Sequence, residues 1–85
     1  MSFYDGCSIT NTTLEPHHTF DGSLYWGGTI QIQTPQHPSP IIDDFIAYDK
    51  WGLNISFNLG YPQKIALQFR EHIKNEIRKT LTKEG

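Results

Sequence analysis

The chain has 85 residues, of which 36% are hydrophobic, 13% aromatic and 19% charged. This length provides one small domain over residues 1–85, and the aromatic content favours a folded globule over a disordered tail. Multidomain enzymes, coiled coils and collagen-like polymers are excluded, and no apolar run reaches the roughly 18 residues that span a bilayer.

The formal net charge of −2 is unevenly distributed along the chain. Residues 1–63 carry six acidic side chains and one basic side chain, whereas residues 64–85 carry six basic and three acidic side chains. Such asymmetry is typical of an interaction surface, or of a basic helix that balances an acidic sheet within one globule. The composition leaves both interpretations open.

Cys7 is the only cysteine, so an intramolecular disulfide and a cysteine-based zinc site are both excluded. A lone thiol is typical of a reducing compartment. Residues 1–11 lack the basic start and apolar stretch of a signal peptide. We therefore expect a cytoplasmic protein, in which residues 1–7 form a loose lead-in.

Residues 23–34 carry the clearest strand signal. Their apolar positions alternate with mostly polar ones, which is the pattern of a strand with one buried face. The apolar positions share one parity: Leu24, Trp26, Gly28, Ile30 and Ile32. The Gly27-Gly28 pair predicts a bulge, a sharp twist or the close approach of another backbone.

The dipeptide Asp21-Gly22 predicts a hairpin turn just before this strand. A three-residue loop that begins at Asp21 keeps Phe20 on the apolar face, where it pairs with Leu24. The preceding strand then lies within residues 9–20. Pro16 indicates that part of this strand is irregular or lies at the edge of the sheet.

The middle of the chain predicts an extended connection and two further strands. Residues 34–40 contain three prolines, which oppose both helix and strand pairing. Residues 41–49 predict a third strand, and Lys50-Trp51-Gly52 predicts a turn in which Gly52 adopts positive φ. Residues 53–59 predict the fourth strand. Its apolar face is expected to contain Leu53, Ile55, Phe57 and Leu59.

The C-terminal part predicts one helix from about Pro62 to Lys83, because proline suits the first helical position. Apolar residues recur at every fourth position and form a broad core-facing stripe. These residues are Ile65, Phe69, Ile73, Ile77 and Leu81. The predicted fold is α+β: an antiparallel sheet of about four strands in β-β-β-β-α order, with the helix on one face.

The sequence offers little support for catalysis or metal binding. The four histidines do not have metal-ligand spacing, and no glycine-rich phosphate cradle or nucleophile elbow is present. Asp43 and Asp44 are adjacent, so on a strand they project to opposite faces. We expect both at a solvated strand start, and we expect no catalytic, cofactor or metal site.

A row of basic side chains is predicted along the helix. Arg70, Lys74 and Arg78 are spaced by four residues and so align on one side. The row either serves only solubility and the helix dipole, or it meets phosphates or an acidic partner. We call these three residues the helix ridge.

Tyr25, Tyr48 and Trp51 are the candidate contact residues of the sheet, because aromatic side chains on an amide-rich surface typically anchor protein interfaces. The sequence favours a non-catalytic module that binds a larger protein, as an inhibitor, adaptor or immunity-type factor. A mobile-element or phage origin would fit such a role. The alternative is a nucleic-acid-binding accessory protein that uses the helix ridge. A homodimer through a sheet edge or the bare sheet face is compatible with this fold, and no membrane association is expected.

Overall fold

Four antiparallel strands form one open sheet, and a single helix follows them in the computed structural model, which describes residues 3–84. The strands lie side by side in the order in which they occur in the chain. The elements are β1 (Ser8–His18), β2 (Leu24–Gln33), β3 (Ile41–Ala47), β4 (Ile55–Phe57) and α1 (Gln63–Glu84). The predicted α+β architecture is therefore confirmed.

The core lies between one face of the sheet and α1. The predicted parity of β2 and the predicted stripe of α1 supply most of its side chains. Fully or almost fully buried are Trp26, Ile30, Ile32, Phe45, Ala47, Ile55, Phe69, Ile73 and Ile77. Each large apolar side chain buried in this way stabilises the fold by about 1.5–3 kcal/mol.

β1 approaches β2 closely at Gly28. A Cβ atom at this position would overlap the carbonyl oxygen of Thr13 and lie 3.2 Å from the ring of Phe45. The predicted close approach of another backbone is therefore confirmed at Gly28. The register shift lies in β1 instead, between Ile9 and Asn11. β1 is an edge strand, as Pro16 indicated.

The turn between β1 and β2 is held by its own polar groups. The amide of Thr19 donates to the carbonyl of Ser23 at 2.9 Å, and the amide of Gly22 donates to the carbonyl of Thr19 at 2.9 Å. Gly22 adopts a φ of 89°, which favours glycine. The Asp21 carboxylate accepts hydrogen bonds from the Thr19 hydroxyl and from the Ser23 amide. The loop therefore comprises Phe20, Asp21 and Gly22.

This turn lies one residue earlier than predicted. His18 pairs with Leu24, and Phe20 stands fully exposed at the tip of the hairpin. The predicted pairing of Phe20 with Leu24 is therefore wrong. The hydrogen bonds of the loop decide the register, and the burial of one phenyl ring does not outweigh them.

β4 is shorter than predicted, because it covers only Ile55–Phe57. Leu53 and Leu59 are exposed and do not lie on the apolar face as expected. The amide of Leu53 donates to the Asp49 carboxylate at 3.0 and 2.9 Å. The amide of Leu59 donates to the Asp43 carboxylate at 3.1 and 3.2 Å. The two leucine amides, one on each side of β4, thus donate to carboxylates and not to a neighbouring strand.

The N-terminal segment packs at the end of the sheet that carries the proline-rich connection. The hydroxyl of Thr34, which is buried, donates to the carbonyl of Phe3 at 2.8 Å. The ring of Tyr4 meets that of Tyr61 edge-on, with centroids 5.1 Å apart. Residues 34–40 form neither helix nor strand, as predicted. Residues 1 and 2 of the predicted lead-in lie outside the described residues.

The close approach at Gly28 yields a stability prediction. Gly28→Ala is expected to lower the free energy of unfolding by at least about 2 kcal/mol, because the new methyl group overlaps backbone of β1. Gly60→Ala is the control, since no atom of a residue beyond its two chain neighbours lies within 4 Å of its Cβ position. It should change stability by less than about 0.5 kcal/mol. Urea unfolding followed by tryptophan fluorescence measures both, and equal stability of the two variants would contradict the packing.

Candidate functional site

One face of the sheet is not covered by α1, and we call it the open face. Side chains alternate across a strand, so the residues that do not point to the core point here. The register of the three strand pairs brings these residues together. They are Asn11, Thr13, Glu15, His17, Tyr25, Thr29, Gln31, Gln33, Ile42, Asp44, Ile46, Tyr48 and Ser56.

Exposed apolar side chains lie on the open face along β3, on both sides of Asp44. Ile42, Ile46 and Tyr48 have exposed fractions of 66%, 39% and 55%. We call these three residues, together with Tyr25, the open-face stripe. Thr19, Tyr25, Ile46 and Tyr48 line a shallow depression of about 310 Å³. Covering such groups is favourable by about 25 cal/mol for each Å² of apolar surface removed from water.

A second depression, of about 230 Å³, adjoins the first at Ile46. Its other lining residues are Asp44, Phe45, Ser56, Phe57 and Asn58, so it combines apolar surface with one carboxylate. The Asp44 side chain is exposed. Among the described residues, no hydrogen bond or ion pair engages its carboxylate.

The charge of the open face is acidic. Its charged side chains are Asp44 and Glu15, and no lysine or arginine lies on it among the described residues. The Glu15 carboxylate lies 3.9 Å from Nε2 of His17, whose ring stacks on that of Tyr25. The open face therefore combines apolar surface with negative charge.

The structure brings together some of the sequence-predicted contact residues and separates others. Tyr25 and Tyr48 lie side by side in the first depression. Trp51 lies instead in the turn between β3 and β4, exposed, with Nζ of Lys50 5.5 Å from its ring. Ile42, at the far end of the open-face stripe, was not among the predicted contacts.

Arg70 of the helix ridge is engaged with the sheet. The amide of Tyr48 donates to the carbonyl of Asn54 at 2.8 Å. Because the backbone groups of successive residues point to alternate sides of a strand, those of Ile55 point away from β3, toward the free edge of β4. Nε of Arg70 donates to that Ile55 carbonyl at 3.3 Å, and its guanidinium lies 5.7 Å from the Phe57 ring centroid. Arg70 thus covers the edge of β4.

The other two ridge residues also have partners on α1. Nζ of Lys74 lies 3.6 Å from the carboxylate of Glu71. The guanidinium of Arg78 donates to the side-chain oxygen of Asn75 at 3.2 Å. The predicted row of basic side chains exists along α1, but each of its members is held by a neighbour.

Asp43 is buried, so its predicted place at a solvated strand start is wrong. Only 1% of it is exposed, whereas Asp44 points to the open face. Hydrogen bonds from the Leu59 amide and the Tyr61 hydroxyl compensate the loss of water around the carboxylate. Asp43 thereby fixes the chain between β4 and α1.

Phenol groups beside Asp43 hold their protons strongly. Burial, the hydrogen bond to Asp43 and the charge of that carboxylate raise the pKa of Tyr61 well above its ordinary value of about 10. Burial also raises the pKa of Tyr4, and Asp43 adds to this effect. The Tyr61 hydroxyl therefore remains a donor to Asp43 across the neutral range.

No candidate metal centre is found within residues 3–84, where no three histidine, cysteine or acidic side chains lie together. No helix in this part of the chain is long and apolar enough to cross a membrane. Comparison of the chain with protein-family models, curated proteins and solved structures found no match.

The raised pKa of Tyr61 predicts a loss of stability in alkali. Because the folded state holds the proton more tightly, the unfolded chain ionises first, and the contribution of Tyr61 is complete below about pH 10 and declines above it. Tyr61→Phe cannot ionise and should lose less stability between about pH 8 and about pH 11, although it is less stable at neutral pH.

Urea unfolding at both pH values measures this difference. Tyr48→Phe is the matched control, because it removes the hydroxyl of an exposed tyrosine on the open face, away from Asp43. Equal alkaline losses in the wild type and in Tyr61→Phe would contradict the assignment.

Proposed function

We propose that this chain is a small non-catalytic module that binds a larger protein through its open face. The open-face stripe supports this proposal, since it leaves Ile42, Ile46 and Tyr48 in water on the side that α1 does not cover. Tyrosine beside aliphatic side chains is typical of interface centres. Several exposed apolar side chains on one face of a small protein are typical of an interaction site.

Occupation of the partner's surface is the action that fits this design. A module that docks by one sheet face blocks what it covers, as an inhibitor or immunity-type factor does. Its helix remains free to bridge to another protein, as in an adaptor. Cys7, the single cysteine, fits action in the cytoplasm, and a mobile-element or phage origin would suit an inhibitor.

Nucleic-acid binding through α1 is the alternative. Its support is a wide, open depression of about 550 Å³ on the helix surface. Arg78, Lys79 and Lys83 contribute to its lining. These cations lie near the C-terminal end of the helix, where they also complement its dipole. Phosphate binding is less well supported, because Arg70 and Lys74 are already engaged and the open face is acidic.

A homodimer is also less well supported than a different protein partner. Two open faces would bring Asp44 and Glu15 of one copy toward those of the other, and like charges repel. Pairing at the sheet edges meets obstacles as well. Arg70 covers the edge of β4, and Pro16 removes an amide from β1.

Site-specific photo-crosslinking in cells of the source organism tests the proposed function. A photoreactive phenylalanine analogue replaces Ile42 on the open face or, as the control, Gln68 on the exposed side of α1. We expect a discrete adduct with a larger protein from position 42 and several-fold less from position 68, because only the first position contacts the partner.

Three results would contradict this proposal. Adducts with the same protein, in equal yield from both positions, would remove the open face as the contact surface. Adducts that contain nucleic acid would favour the alternative. An adduct of the chain with itself, and no other, would favour a homodimer.

A further inference from the structure

We propose that the open face recognises a basic amphipathic segment of its partner. This segment seats an aliphatic side chain against Ile46 and places a lysine or arginine against Asp44. The inference rests on the proposed function and names the chemistry of the segment that the open face would bind.

The aliphatic position follows from the first depression. Ile46, Tyr25, Tyr48 and Thr19 line it. The Tyr25 ring is held in place, because it stacks on His17 with ring centroids 5.2 Å apart. A wall that is already ordered loses little conformational freedom when a side chain enters. The depression therefore suits a compact apolar group.

The basic position follows from the second depression, which adjoins the first at Ile46. The Asp44 carboxylate lies there without a partner among the described residues, beside the polar side chains of Ser56 and Asn58. Lysine and arginine donate several hydrogen bonds, and a carboxylate is their strongest acceptor in proteins. Glu15, the other acid of the open face, lines neither depression. Asp44 is thus the available acceptor.

The spacing of the two positions constrains the segment. Asp44 and Ile46 are two residues apart on one strand, which corresponds to about 6.7 Å. One helical turn rises about 5.4 Å, and two residues of an extended chain span about 6.7 Å. The segment should therefore carry its basic and aliphatic residues three or four apart in a helix, or two apart in a strand.

A peptide library displayed on phage, with random sequences, tests this inference on the wild-type protein. We expect enriched sequences to combine an aliphatic and a basic residue at these spacings. A synthetic peptide of the enriched sequence should bind about tenfold more weakly to Asp44→Asn, the effect of one charge-assisted hydrogen bond. Glu15→Gln is the matched control and should bind within about twofold of the wild type.

Peptide binding to the variant Ile46→Ser distinguishes failure of the basic segment from failure of the proposed function. If the enriched peptides lack a basic residue but lose binding to Ile46→Ser, the basic segment is wrong and the open face remains the docking surface. Equal effects of Asp44→Asn and Glu15→Gln would overturn the role of Asp44.

Two further results overturn the inference. If no sequence is enriched, the open face does not recognise a linear segment, and cross-linking from position 42 still decides the proposed function. If the enriched peptides bind Ile46→Ser as tightly as they bind the wild type, they do not contact the open face. That result would contradict both the basic segment and the proposed docking surface. Circular dichroism of each variant confirms that the fold is retained.

Discussion

The packing of α1 against one face of the sheet is the constraint on which the rest of the structure depends. Phe69, Ile73 and Ile77 are completely buried, as are Ile30 and Ile32 of the facing strand. A sheet needs a layer on each side to bury both faces, and within residues 3–84 α1 forms the single layer. The open face is therefore left to water, and its apolar groups are available for another protein.

Aspartate carboxylates accept hydrogen bonds from backbone amides in the connections between the secondary-structure elements. The side chains of the open face are therefore not needed to fix these connections. Asp21 accepts from the Ser23 amide, Asp49 from the Leu53 amide and Asp43 from the Leu59 amide. Charged acceptors make stronger hydrogen bonds than neutral ones. The Thr19 hydroxyl, followed by the Ser23 amide, lowers the pKa of Asp21, which keeps that carboxylate ionised. Polar groups thus fix the turns, while apolar burial fixes the centre of the sheet.

The alternation of β2 and the four-residue spacing of α1 were sufficient to predict the covered face and most of the core. The contribution of Phe45 and Ala47 was not predicted, because it follows from the pairing of β3 with β2. Gly52 was predicted correctly too, with a φ of 71° in the turn before β4. The errors at Leu53 and Asp43 share one cause: long-range and local carboxylate bonds outweigh the simple alternation of apolar and polar positions. Ile42 was missed because β3 has apolar residues at both parities, so its orientation depends on pairing with β2.

The exposure of one sheet face is measured most directly by methyl NMR of the isolated protein with a soluble paramagnetic agent. One-sided burial predicts strong broadening of the Ile42 and Ile46 methyl signals. The signals of Ile30, Ile73 and Ile77 should broaden little, because their side chains are shielded from solvent. Methyl groups of Ile42 and Ile46 as protected as those of Ile73 would show that the supposed docking face is covered, and would contradict the structure's central feature.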